Sequence, residues 1–171
     1  MSYEIRRIVT GHDDAGRAVL RSDELLPSHE VATGYDAVEV WCTNALPVVN
    51  DEAARSDGAP GVRGTRALLR FGSLDPGHVS PMHRSQSFDY ALCLEGECEL
   101  HLDDGEPIVV RAGDVVIQRG TNHAWANTSD APARFAWILI DAEPVRVGDE
   151  TLPEVMPPGH NVLSDWRTAQ P

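Results

Sequence analysis

Lysine is missing from this sequence altogether: all 14 basic residues are arginine. Schiff-base chemistry, the lysine contact of a phosphate-binding loop and a lysine general base are therefore excluded. Cysteine is scarce. Cys42, Cys93 and Cys98 make an odd count with no C-x-x-C spacing. That argues against a disulfide framework or a cysteine-rich zinc site, and fits reduced thiols in a cytoplasmic setting. Positive charge is short: 14 basic against 27 acidic residues leaves −13, with no basic block. Nucleic acid and anionic membrane both need clustered positive charge, so neither is expected as a partner. No apolar run approaches the ~20 residues of a membrane span. The start, Met1-Ser2-Tyr3-Glu4-Ile5-Arg6-Arg7, lacks the apolar core of a signal peptide.

The 171 residues suit one domain with its own core, and 42% hydrophobic with 24% charged residues is a globular balance. Helical periodicity is nearly absent, and strand signals dominate from Asp36 to Asp141. Glu97-Cys98-Glu99-Leu100-His101-Leu102 alternates cleanly, Asp103-Asp104-Gly105 reads as a tight turn, and Pro107–Val110 reads as the returning strand. Stretches 37–41, 67–71, 115–118, 123–127 and 134–140 continue the series, with glycine or aspartate between them. Such spacing predicts an all-β sandwich or barrel. Short β-like pieces at 6–10 and 18–21 are expected to add to its sheets. Residues 43–63 read as a surface loop, and the proline-rich stretch after Glu143 as a tail with a breaker at Pro157-Pro158-Gly159.

Two stretches carry the chemistry. The first runs from Pro76 through Gly77, His83, Ser85 and Asp89 to Gly96. The second runs from Gly113 through Gln118, Gly120, His123 and Trp125 to Asn127. Together they resemble the two motifs of the cupin family. The first motif has Gly, five residues, His-x-His, three or four residues, Glu, six residues, Gly. Gly77, His83, Asp89 and Gly96 fall on it. Ser85 stands where the second histidine belongs, and Asp89 stands for the glutamate. In the second motif Gly113, Gly120, His123 and Asn127 match with one residue fewer, and Gln118 takes the place of a proline. The chain looks like a small bacterial single-domain cupin of the conserved-barrel type.

This resemblance implies a cupin double-stranded β-helix, a jelly-roll barrel, over residues 64–142. Residues 1–63 would form an N-terminal strand extension and 143–171 a C-terminal tail. It further implies that His83, Asp89 and His123 converge inside the barrel. There they would hold a divalent metal ion (Fe, Mn, Ni, Co or Zn), with Asp89 and His123 as catalytic residues. His83 and Ser85 share a strand face, and Asp89 shares its parity with Ala91 and Cys93. Ser85, Cys93, Gln118, Trp125 and Arg70 are the candidate pocket residues. Arg66 and Arg70 share a face that reads as solvated, or else one of them clamps a carboxylate substrate at the pocket mouth. Arg119 is placed to reach the same opening.

The functional expectation is a metal-dependent cupin enzyme acting on a small organic molecule, of dioxygenase, isomerase, dehydratase/cyclase or decarboxylase type. The alternative is a metal-free cupin that binds or senses a small molecule, as loss of a ligand at Ser85 would allow. Tyr90, Leu92 and Leu94 face outward in this arrangement, and a homodimer is expected to cover them.

Overall fold

The computed structural model describes residues 3–43, 46–48 and 66–156. Most of the expected loop at 43–63 and the breaker at 157–159 lie outside the described residues. Among the described residues thirteen strands follow one another: β1 (Glu4–His12), β2 (Ala18–Pro27), β3 (His29–Ala32), β4 (Tyr35–Thr43), β5 (Ala67–Leu74), β6 (Ser87–Glu95) and β7 (Glu97–Leu102). They continue with β8 (Ile108–Arg111), β9 (Val115–Arg119), β10 (His123–Ala126), β11 (Ala133–Asp141), β12 (Arg146–Val147) and β13 (Glu150–Thr151). Among the described residues no helix is long and apolar enough to cross a membrane.

Two antiparallel sheets face each other. The larger has the order β3-β4-β5-β11-β6-β9, and the smaller β10-β7-β8. Alternation decides which side of each strand is buried. In β6, Ser87, Asp89, Ala91 and Cys93 are buried while Tyr90 and Leu94 are exposed. In β7, Cys98 and Leu100 turn inward. Such period-two burial is what a half-buried strand requires. This is the double-stranded β-helix that the motifs imply.

The β6–β7 junction depends on Gly96, whose φ is +72°. A side chain there would also place its Cβ 2.5 Å from the Pro132 carbonyl oxygen. Both the left-handed backbone and the close approach demand glycine.

The closed end of the barrel is the main core. Phe135 and Ala133 are fully buried, packed with Leu74, Ala91, Cys93, Cys98, Leu100, Val110 and Trp125. Truncating a ring such as Phe135 to alanine costs about 3–5 kcal/mol in cores of this kind.

Register across the large sheet sets the depth of every inward side chain. One row runs Leu68, Leu139, Asp89, Gln118. The next row inward from it runs Glu39, Arg70, Trp137, Ala91, Val116. Deepest of the three, Ala37, Gly72, Phe135 and Cys93 lie level. The outer two rows supply the site, and the deepest closes it.

The first two strands differ from expectation. β3 and β4 add to the large sheet, but β1 and β2 pair only with each other. Their ribbon packs on the outside of β4: Arg7 donates to the Val40 carbonyl at 3.0 Å and its guanidinium lies over the Trp41 ring. Arg134 covers the Tyr3 ring in the same way. Period-two polarity gives a strand, and these side-chain contacts decide what the strand lies against.

Candidate functional site

A cavity of about 530 Å³ opens between the two sheets. His83 sits on the loop before β6 and His123 opens β10. A two-way backbone bridge joins them, each N–H donating to the other's carbonyl at 2.9 Å. The bridge holds the two rings 4.3 Å apart, tilted by 50°. Each ring also meets a carbonyl two residues upstream: Nδ1 of His83 lies 2.9 Å from the Pro81 oxygen, and Nδ1 of His123 lies 3.0 Å from that of Thr121. A carbonyl only accepts, so both Nδ1 atoms carry the proton and both Nε2 atoms carry the lone pair. Burial pushes the pKa of His83 below the ordinary imidazole value, opposed by the Pro81 hydrogen bond. For His83 burial is the larger effect, so the net shift favours the neutral ring.

Asp89 faces the same cavity from β6, only 4% exposed. Burial lifts its carboxyl from 3.8 to about 6, against a hydrogen bond from Ser87 that pulls it back. Ser87 is linked in turn to Ser85, Oγ to Oγ at 2.7 Å. One side of the carboxyl is thus held by a serine pair, while Oδ1 is buried without a partner. Directly opposite on β9 stands Gln118, whose Nε2 is also buried without a partner.

Apolar surface makes up the rest. Trp125, Trp137, Leu74 and Leu139 form the wall. Trp137 stacks on Phe135 at 5.1 Å and meets Tyr35 edge-on at 6.2 Å. Gly72 makes this possible. A Cβ there would sit 2.5 Å from the Trp137 ring and 2.7 Å from that of Tyr35. The rim comes from Val31, Ala32 and Thr33, from His78 and Val79, and from Met156. His78 is tied to the Thr33 carbonyl at 2.9 Å, and a backbone bridge between Arg84 and Val155 sets Met156 in place.

Of the residues singled out in the sequence, His83, Ser85, Asp89, Gln118, His123, Trp125 and Arg70 all line the cavity. Cys93 does not. It faces inward, but two rows deeper than Asp89, inside the closed core, and burial raises its thiol pKa. Arg70 belongs to no solvated face: it is buried, paired to Glu39 at 2.5 Å and hydrogen-bonded to Tyr35. The Glu39 charge cancels its own, which removes the basis for an anion clamp. Arg66 pairs with Asp141 away from the cavity, and Arg119 is exposed on the outer side of β9. His78, two residues past Pro76 and read from the sequence as a surface or rim residue, lies on the rim. Tyr35, Trp137, Leu139 and Met156 are lining residues not singled out in the sequence, although Trp137 and Leu139 sit in the apolar run 134–140.

The implied metal triad meets only part of its requirement. Among the described residues, no three His, Cys, Asp or Glu side chains are grouped to hold a metal ion. His83 and His123 stand together, but the second motif histidine is Ser85 and Asp89 is turned to Ser87. The three side chains share one cavity without converging on one point, so the donor set does not fit a three-ligand centre as arranged.

Comparison with known proteins places the whole. The cupin domain profile matches residues 70–139. The cupin-domain-containing oxidoreductase virC of Hypocrea virens is 31% identical over 84% of this chain and 79% of its own length. Phomopsin biosynthesis cluster protein C' of Diaporthe leptostromiformis is 34% identical over 85% of this chain and 83% of its own. The cupin-domain-containing oxidoreductase fogC of Aspergillus ruber is 31% identical over 85% of this chain and 77% of its own. A solved cupin 2 conserved barrel domain protein from Salinispora arenicola aligns with a TM-score of 0.47 at 21% identity, covering 66% of this chain and 81% of that one. With paired motifs, a two-sheet barrel and relatives matched along most of their length, this chain belongs to the cupin family.

Proposed function

We propose that this protein is an enzyme that encloses one small, mostly apolar organic molecule and moves protons on it, as isomerases and dehydratases do. One observation carries the reading: a cavity walled by tryptophan and leucine brings two imidazoles and a buried carboxyl to its polar end. Imidazole Nε2 is a base of suitable strength near neutral pH, and His123, buried in strand β10, is the better fixed of the two. The Asp89 carboxyl, raised toward neutrality, serves as the partner acid. Ser85 and Ser87 orient that carboxyl. The names of virC and of the phomopsin cluster protein support an enzyme of small-molecule biosynthesis.

The test is solvent deuterium incorporation. A panel of cyclic and aromatic carbonyl compounds is incubated with the protein in D₂O and followed by NMR. Wild type is expected to exchange a proton beside the carbonyl of at least one compound, and His123→Ala to lose about 100-fold or more of that rate. Exchange no faster than in the His83→Ala/His123→Ala double variant, for every compound that binds, overturns the reading and leaves a non-catalytic binder.

A second reading, metal-dependent oxidoreduction, is favoured by the adjacent Nε2 lone pairs of His83 and His123. The oxidoreductase names of virC and fogC point the same way. It requires Asp89 to turn Oδ1 toward the pair. Elemental analysis of protein purified without a polyhistidine tag decides. Near-stoichiometric Fe, Mn, Ni, Co or Zn that disappears in both single histidine variants puts this reading first.

A further inference from the structure

The polar end of the cavity contains two atoms with unfilled hydrogen-bonding capacity, one of them on the carboxyl assigned above as the partner acid, which binds here in its ionised form. Oδ1 of Asp89 and Nε2 of Gln118 are both buried and both without a hydrogen-bond partner. Buried polar atoms are nearly always satisfied, so two orphans side by side call for an occupant. They are neighbours by construction, directly opposed across β6 and β9. Opposed residues on one sheet face have Cβ atoms about 4.5–5.5 Å apart. Their hydrogen-bonding senses differ. An amide nitrogen only donates, and an ionised carboxylate oxygen only accepts. Ser87 also hydrogen-bonds the Asp89 side chain, and Ser85 is linked to Ser87, Oγ to Oγ at 2.7 Å. Leu139 lies next to Asp89 in the same row, and Trp137 and Trp125 border the space in front.

We infer that Asp89 and Gln118 form a two-point recognition site for a carbonyl with an adjacent N–H or O–H, carried on a flat and largely apolar small molecule. The carbonyl oxygen accepts from Gln118, and the neighbouring N–H or O–H donates to Asp89. Lactams and hydroxy-carbonyl compounds have both groups at that spacing. Arg70 takes no part, because Glu39 and Tyr35 already occupy it; the ligand is neutral rather than a carboxylate. The inference rests on the proposed function only in placing the ligand in this cavity.

Isothermal titration calorimetry at pH 8 with three bicyclic probes tests it. 2-Quinolinone has both groups, its N-methyl derivative keeps only the carbonyl, and quinoline has neither, keeping only an accepting ring nitrogen. Wild type is expected to bind 2-quinolinone about tenfold or more tightly than the N-methyl compound, the loss of one hydrogen bond to a charged group. Gln118→Met removes the donor at similar length. It is expected to weaken 2-quinolinone about tenfold while quinoline still binds, which shows the cavity intact. The inference is overturned if methylation costs less than about fivefold in wild type, or if Gln118→Met holds 2-quinolinone within about fivefold of wild type. Quinoline binding without such discrimination removes this inference alone. Absence of binding by all three probes removes both it and the view of the cavity as a site for a flat apolar molecule.

Discussion

Asp89→Asn isolates what the buried carboxyl costs the fold. The folded protein holds this group at about 6 against 3.8 in the unfolded chain. The folded state therefore binds the proton more tightly, and stability must fall as pH rises from about 3.8 through about 6. The difference corresponds to about 3 kcal/mol at full ionisation, an upper bound because water entering the cavity solvates the carboxylate. Asparagine has nearly the same shape, keeps an acceptor for Ser87 and never ionises. The variant should match wild type near pH 4 and exceed it by up to about 3 kcal/mol at pH 7.5. For a chain of this length that is roughly 6–12 °C in Tm. Thermal and urea unfolding of both proteins from pH 4 to 8, in metal-free buffer with chelator, measures it. A stability difference that stays flat across this range refutes the claim that burial dominates the Asp89 environment.

Gly72→Ala drives a methyl into Trp137 and Tyr35 and should cost about 1–3 kcal/mol, with altered tryptophan emission reporting the displaced ring. Arg70→Met strands the buried Glu39 carboxylate and should cost about 3–5 kcal/mol; adding Glu39→Met should recover most of it, and a double variant no more stable than the single contradicts the pairing. The outward row of β6 and β9, with Tyr90, Leu94, Val115 and Ile117 exposed, is expected to be covered by a second copy of the chain. Light scattering at micromolar concentration should give a dimer mass that Ile117→Glu reduces, and a monomer in wild type would refute that expectation.

Strand identity was legible because alternation is a local property: Cys98 and Leu100 declare the inward face of β7 without reference to any other strand. The motif spacing likewise exposed His83, Asp89, Gln118 and His123, since each keeps a set distance along the chain from the motif glycines Gly77, Gly96, Gly113 and Gly120. Parity failed where depth mattered. Cys93 and Asp89 share a face, yet only register against β11 shows that Cys93 lies level with Phe135, inside the closed core. Arg70 failed for a related reason. Its neutralising partner Glu39 is 31 positions away, and only the β4–β5 pairing brings the two together. Tyr35 and Met156 come from two segments outside both motifs, and nothing local to either of them points at the cavity.

That scattered origin of the rim has a consequence for how such proteins diversify. Residues 31–35 and Met156 lie outside the stretch 70–139 that matches the cupin profile, while both histidines, Asp89 and Gln118 lie within it. Residues 28–35 carry β3, the edge strand of the large sheet, which pairs on one side only, and the turn that joins it to β4. Grafting residues 28–35 from a relative, with the β3–β4 pairing kept, would therefore exchange that part of the doorway and leave the reactive interior as it stands. A set of such chimaeras would separate the selection of a molecule from its chemistry, two properties that single substitutions inside a barrel tend to change together.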